Sequence, residues 1–185
     1  MSTEKKVLIA GFGGQGVIMA GNVLAYAAVE AGKNLLATVS YGGEMRGGTA
    51  RANITISDEE IDSPIIEVPN VAMIMNAPSF VKYIETIEPG SHVIINSSMI
   101  DDELIRTKDG DLKITKVDAT NHAIKMGNIK VANIIMLGVL VKTTDIIDRD
   151  SIINGLGRAF RKTKKALYYI NEQAFDLGYS LEPVI

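Results

Sequence analysis

A short apolar run, Val7 to Ala10, is followed by a glycine-rich turn and then by apolar residues at Val17, Ala20, Leu24 and Ala28. The run suits a strand and the later spacing a helix, so the N-terminal pattern predicts strand, glycine turn, helix. Gly32 stands where a left-handed residue can close that helix, and Leu35 to Val39 supplies a second apolar strand. Together they read as a βαβ unit with a right-handed crossover. Tyr41 to Thr49 holds four glycines and breaks regular structure, after which Asn53, Ile54, Thr55 and Ile56 alternate polar with apolar and predict an edge or antiparallel strand. Asp58 to Asp62 reads as an acidic turn. Val71 to Met75 reads as a buried strand leading to Asn76-Ala77-Pro78, where Pro78 suits the first turn of a helix that Ile84 and Ile87 continue towards Pro89 and Gly90.

Val93 to Ile95 and Ile114 to Val117 predict two more strands, and Asp109 to Asp111 and Thr143 to Asp150 read as loops. Helices are expected near Ala119 to Met126, from Ile129 to Val141, and once or twice between Asp150 and Asp176. The segment from Ile129 to Val141 is apolar nearly all round, which predicts a buried helix. Strands alternating with helices predict an α/β fold. The expectation is a single Rossmann-like domain over residues 1–185: a doubly wound, mostly parallel sheet with helices on both faces.

Composition narrows the function more than the fold. The 185 residues are 46% hydrophobic, enough for a sheet covered on both faces, and the net charge is −3 with the cations scattered. Neither nucleic acid nor an anionic membrane is an expected partner of such a surface. There is no cysteine, so a thiolate-held iron-sulfur cluster cannot sit on this chain. No run approaches the roughly 18 apolar residues of a membrane helix, and Met1 to Lys6 lacks the arrangement of a signal peptide, so a cytoplasmic location is expected.

The chemistry suggested by residues begins at Gly11-Phe12-Gly13-Gly14-Gln15-Gly16, a Gly-x-Gly-x-x-Gly turn between strand and helix. In such a turn the first glycine makes the bend, the second admits a ligand to the backbone and the third packs helix on strand. The helix N-terminus adds roughly half a positive charge, so phosphate or carboxylate would fit. A dinucleotide site also wants an acidic residue at the end of the second strand, where this chain has Ala37-Thr38-Val39-Ser40-Tyr41. The motif alone leaves open a nucleotide site or a tight structural corner.

A second loop, Ser40-Tyr41-Gly42-Gly43-Glu44-Met45-Arg46-Gly47-Gly48-Thr49, pairs Glu44 and Arg46 with glycines. Taken with the first turn, with Asp118-Ala119-Thr120, with Ala132-Asn133-Ile134-Ile135-Met136-Leu137-Gly138 and with Asn171-Glu172-Gln173-Ala174-Phe175, it resembles the gamma subunit of 2-oxoacid:ferredoxin oxidoreductases. The 2-oxoglutarate type is most similar. The likeness covers nearly the whole chain, with Gly43 standing where the family often has proline.

The resemblance implies a non-autonomous subunit of a complex that converts a 2-oxoacid, coenzyme A and oxidised ferredoxin to an acyl-coenzyme A, carbon dioxide and reduced ferredoxin. It implies thiamine diphosphate on alpha and beta subunits, iron-sulfur clusters on other subunits including a ferredoxin-like delta, and no cofactor on this chain. Expected ligand or interface residues are Gly11, Gly13, Gly14, Gln15, Gly16, Tyr41, Glu44, Arg46, Gly47, Gly48 and Thr49, with Arg46 and the glycine amides shaping the entry of coenzyme A and Glu44 positioning Arg46. A guanidinium suits phosphate through paired hydrogen bonds. An ordinary interfacial ion pair between Glu44 and Arg46 remains the alternative.

No independent catalytic set can be assembled. His92 and His122 are isolated from one another, with no metal-ligand spacing, and each suits a structural or solvated place. Asp101, Asp102 and Glu103 suit a helix start, and Arg158, Arg161, Lys162, Lys164 and Lys165 suit either a solvated face or contact with an acidic ferredoxin. Two other functions stay open: a free-standing dinucleotide oxidoreductase, and an assembly scaffold without ligand contact. An exposed apolar surface would let the isolated chain form a homodimer.

Overall fold

The computed structural model describes residues 4–42, 48–61, 68–106, 110–161 and 165–182. Strand β1, Lys5–Phe12, is followed by helix α1, Val17–Glu30, and strand β2, Asn34–Tyr41. β3, Thr49–Ser57, then precedes β4, Val71–Ile74, and α2, Ala77–Tyr83. β5, His92–Asn96, α3, Asp102–Arg106, and β6, Lys113–Val117, complete the sheet. The chain ends in α4, Ala119–Lys125, α5, Ala132–Thr144, α6, Arg149–Ala159, and α7, Lys165–Ser180.

The six strands lie in the order β2-β3-β1-β4-β5-β6. β1, β4, β5 and β6 pair in parallel, while β3 is antiparallel to both β1 and β2. The expected α/β, mostly parallel sheet is therefore present, with one correction at its start. β1 and β2 point the same way, as a βαβ unit requires, but β3 is inserted between them. β3 is antiparallel as expected and interior rather than an edge, because Ala50, Ala52, Ile54 and Ile56 are buried on the α1 side. β2 is the edge, and most of it is exposed. Its apolar letters resemble those of a buried strand, and only the return path of β3 decides that it lies outside.

Local boundaries also move. Tyr41 and Thr49 belong to β2 and β3, so the second loop is the turn of a long hairpin. The expected loop from Thr143 to Asp150 shortens to Asp145–Asp148, because Thr143 and Thr144 end α5 and Arg149 and Asp150 begin α6. Gly32 does take a left-handed φ of 68° just beyond α1.

Helices cover both faces. One core joins β1, β3 and β4 to α1, α4 and α5, with α6 packed on α1 and α7 on α5 as an outer layer. The other core sets Leu8, Ala10, Ala72, Ile74, Val93 and Ile95 against Phe80, Tyr83 and Ile105 from α2 and α3. α5 is buried from Ala132 to Val141, as its uniform hydrophobicity predicts, because sheet lies on one side and α7 on another. Among the described residues no helix is long and apolar enough to cross a membrane.

Candidate functional site

At the C-terminal end of β1 the chain turns onto α1 on one face of the sheet, and at the end of β4 it turns onto α2 on the other. Such a change of face leaves a crevice beyond the strand ends, the usual ligand position in open α/β sheets. A cavity of about 190 Å³ lies there, lined by Gly14 and Gln15 after β1, Met75 after β4, and Met99, Ile129 and Lys130.

The glycine turn is held from inside. The Phe12 N–H donates to Gln15 Oε1 at 2.7 Å, and the Asn76 side-chain amide donates to the same oxygen at 2.6 Å. Asn76 Oδ1 in turn accepts the Ser79 N–H at 2.9 Å and caps α2. Gln15 therefore ties the end of β1 to the start of α2 across the crevice. The first and third glycines have roles other than those expected. Gly11 is the penultimate residue of β1 and makes no bend; a Cβ there would stand 2.8 Å from Gln15 Oε1 and 2.9 Å from Met75 Cβ. Gly16, at a left-handed φ of 76°, packs on Asn133 of α5 rather than on a strand, and accepts a hydrogen bond from its Nδ2 at 2.8 Å. Gly14, with φ 99° and open space beside it, is free to face a ligand.

Replacing Gln15 with alanine leaves the Phe12 N–H and the Asn76 amide without their acceptor, and each such loss costs about 1–3 kcal/mol. The expected result in urea denaturation is destabilisation by about 2 kcal/mol, with Gln15→Glu losing less because it keeps an acceptor. A loss below about 0.5 kcal/mol would mean that water replaces the side chain without cost.

The two motifs meet. The Gly13 N–H donates to the Gly48 carbonyl at 3.1 Å, the Gly42 N–H donates to Thr49 O at 2.8 Å, and Phe12 pairs with Thr49 in the sheet. Lys82 of α2 reaches Thr49 Oγ1 at 3.3 Å. Gly13, Gly14, Gln15, Gly48 and Thr49 thus form one surface, with Gly11 buried beneath it, Gly16 packed on Asn133, and Tyr41 exposed beside it on β2. Gly43, Glu44, Met45, Arg46 and Gly47 lie outside the described residues, as do Lys162 and Lys164.

A dinucleotide fits this end of the sheet poorly. β3 stands between β1 and β2, which puts the end of the second strand two strand spacings, about 10 Å, from the glycine turn. The Phe12 and Gly13 amides are also already engaged within the chain.

Several groups at the site escaped the sequence reading. Asn76 and Asn96 are buried, and Asn96 Nδ2 donates to Met75 O at 3.3 Å and to Thr120 Oγ1 at 2.9 Å, bracing the floor of the crevice. Asn133 is the lone buried amide of an apolar helix, a signal that was available in the sequence. Lys130 at the rim supplies a cation, and nothing in the hydrophobic pattern distinguishes it.

The histidines lie elsewhere. His92 begins β5, at the opposite end of the sheet from the crevice, where burial first and then Lys113 and Lys5 hold its imidazole below the usual pKa. His122 on α4 faces a separate cavity with Asp118 and Val139. Asp102 opens α3 and is bonded to Lys116 at 2.7 Å, as suits a helix start, and Arg158 is paired with Glu30. Among the described residues no cluster of His, Asp or Glu could hold a metal ion.

Residues 6–181 match the family model described as pyruvate ferredoxin/flavodoxin oxidoreductase. The chain belongs to this family, as a gamma-type member. The 2-oxoglutarate synthase subunit KorC of Methanocaldococcus jannaschii is 33% identical over 187 residues, covering 96% of this chain and 94% of that protein. The crystal structure of the pyruvate oxidoreductase subunit PORC from Thermotoga maritima is similar with a TM-score of 0.82 at 27% identity, covering 96% of each chain. The keto/oxoacid ferredoxin oxidoreductase gamma subunit of Geobacter sulfurreducens gives 0.78 at 26% identity, covering 95% of this chain and 96% of that one. The glycine turn and the hairpin loop both lie within the matched region.

Proposed function

We propose that this gamma-type chain serves a 2-oxoglutarate:ferredoxin oxidoreductase, in which 2-oxoglutarate is oxidatively decarboxylated with coenzyme A to succinyl-coenzyme A and carbon dioxide as ferredoxin is reduced. The likeness to a 2-oxoglutarate synthase subunit over nearly the full length of both proteins supports that substrate. Thiamine diphosphate belongs to alpha and beta partners in this reading, and iron-sulfur clusters to partners that have cysteines, including a ferredoxin-like delta subunit. The complex works in the cytoplasm.

The role of this chain is to shape the entry of coenzyme A. The observation that carries it is the Gly13–Gly48 hydrogen bond, which joins the glycine turn and the hairpin loop into one surface at the strand ends. Gly14 leaves backbone open there, and Lys130 and the N-terminus of α1 favour an anion. Arg46, on the same hairpin, contributes a guanidinium to the coenzyme A phosphates.

The complex is purified anaerobically through a tag on this chain, and coenzyme A-dependent viologen reduction is assayed with 2-oxoglutarate, pyruvate and branched 2-oxoacids. A preference for 2-oxoglutarate is expected. Arg46→Ala in the assembled complex is expected to raise the KM for coenzyme A about tenfold, the effect of losing roughly 1.4 kcal/mol of uniform binding, while kcat holds. An unchanged KM with weakened assembly would instead make Arg46 an interfacial residue.

A further inference from the structure

Among the described residues, β2 is an edge without the usual protection. Exposed edges in natural proteins carry charges, prolines or bulges, or are kept short, because a bare row of backbone groups templates another strand. β2 runs eight residues, pairs without interruption with β3, and contains no charged residue and no proline from Asn34 to Tyr41. Its register assigns the two faces. Leu35, Ala37, Val39 and Tyr41 sit opposite Ile56, Ile54, Ala52 and Ala50, and so extend the apolar α1 face of the sheet beyond its last interior strand. Val39 and Tyr41 are 53% and 67% exposed on that face, and Val29 of α1 is 48% exposed.

We infer that β2 is the seat of a second copy of this chain, paired antiparallel about a two-fold axis at Thr38 to make a twelve-stranded sheet. The choice of occupant rests on charge and pattern. A two-fold axis sets surface patches against their own images, so any charge on the edge would meet its like, and this edge has none. With the axis at Thr38, Leu35 faces the partner's Tyr41, Ala37 faces the partner's Val39, and Leu36 faces the partner's Ser40. The apolar face thereby meets an apolar face, and the two Thr38 side chains meet on the other side as a favourable cross-strand pair. Shifting the axis to Ala37 leaves Tyr41 without an opposite number within β2, and shifting it to Val39 leaves Leu35 and Leu36 without one. Two copies of an exposed eight-residue strand with Val39 and Tyr41 bury on the order of 1,000 Å², the lower bound for a specific interface. The strand-end crevices then open in opposite directions. The inference does not depend on the proposed function.

The absence of cysteine from the chain makes the test direct, because a single introduced thiol reports its own position. Purified full-length chain at about 50 μM is expected to sediment as a dimer, a concentration chosen above the micromolar range of small interfaces. Thr38→Cys is expected to cross-link to itself with a short bis-maleimide, while Leu36→Cys and Ser40→Cys link to one another when mixed and not to themselves. Thr38→Lys sets two like charges on the axis and is expected to give a monomer with an unchanged circular dichroism spectrum; Val39→Lys serves if the first variant does not fold. A monomeric parent chain, a dimer that survives both lysine variants, or self-linking at Ser40 in place of Thr38 would overturn the inference.

Discussion

Gly178→Ala is expected to destabilise the protein by about 3 kcal/mol or more, at the upper end of what overpacking costs. Gly178 lies on α7 where it crosses α5, and a Cβ there would run into the backbone carbonyl of Ile135. The contact is reciprocal, since a Cβ on Gly138 of α5 would strike the carbonyl of Phe175. Backbone against backbone leaves no flexible side chain to yield, so the helices must separate. Phe175 and Ala174, both fully buried, would then lose contacts. Helix propensity acts in the other direction, favouring alanine over glycine by about 1 kcal/mol. A net loss in urea or thermal denaturation therefore measures packing against propensity. A variant within about 0.5 kcal/mol of the parent would mean that α7 rides on α5 loosely enough to shift.

Gly16→Ala is expected to cost about 2–4 kcal/mol, combining a left-handed backbone at roughly 1 kcal/mol with overpacking of 1–3 kcal/mol. The position has φ 76°, and the new Cβ would come within 2.9 Å of Asn133 Cγ. Asn133 is buried and spends its amide on the Gly16 carbonyl, so it cannot swing aside without losing that bond. Because the same turn shapes the crevice, the effect should reach function as well as stability. The assembled complex carrying Gly16→Ala should lose coenzyme A affinity even at a temperature where it remains folded. Asn133→Ala, which removes the obstacle, should recover part of the stability when combined with Gly16→Ala, and the double-mutant cycle separates steric from backbone strain. If the double variant recovers nothing, strain at φ 76° is the whole effect.

The elements themselves were legible because each has a strong local signal. The period of Val17, Ala20, Leu24 and Ala28, the uniform hydrophobicity from Ile129 to Val141 and the proline after Asn76 each reflect the immediate surroundings of the backbone. The family was legible as well, since several short motifs kept their order along nearly the whole chain, and the match over residues 6–181 bears it out.

Strand order was not legible. Leu35 to Val39 and Val71 to Met75 look alike as letters, yet the first is an exposed edge and the second is buried at the centre. What separates them is the return of β3 between β1 and β2, a pairing between residues far apart in sequence. The glycine motif was found by its spacing, but the assignment of work to its glycines changed once the fold was known. Gly11 makes room for Gln15 and Gly16 makes room for Asn133, 117 residues away. Sequence alone thus determined the α/β class, the family and the two loops, because these follow from local periodicity and contiguous motifs. Tertiary structure alone decided that the loops touch, which glycines bear packing and which edge stays bare, because close approach in space has no fixed signature along the chain.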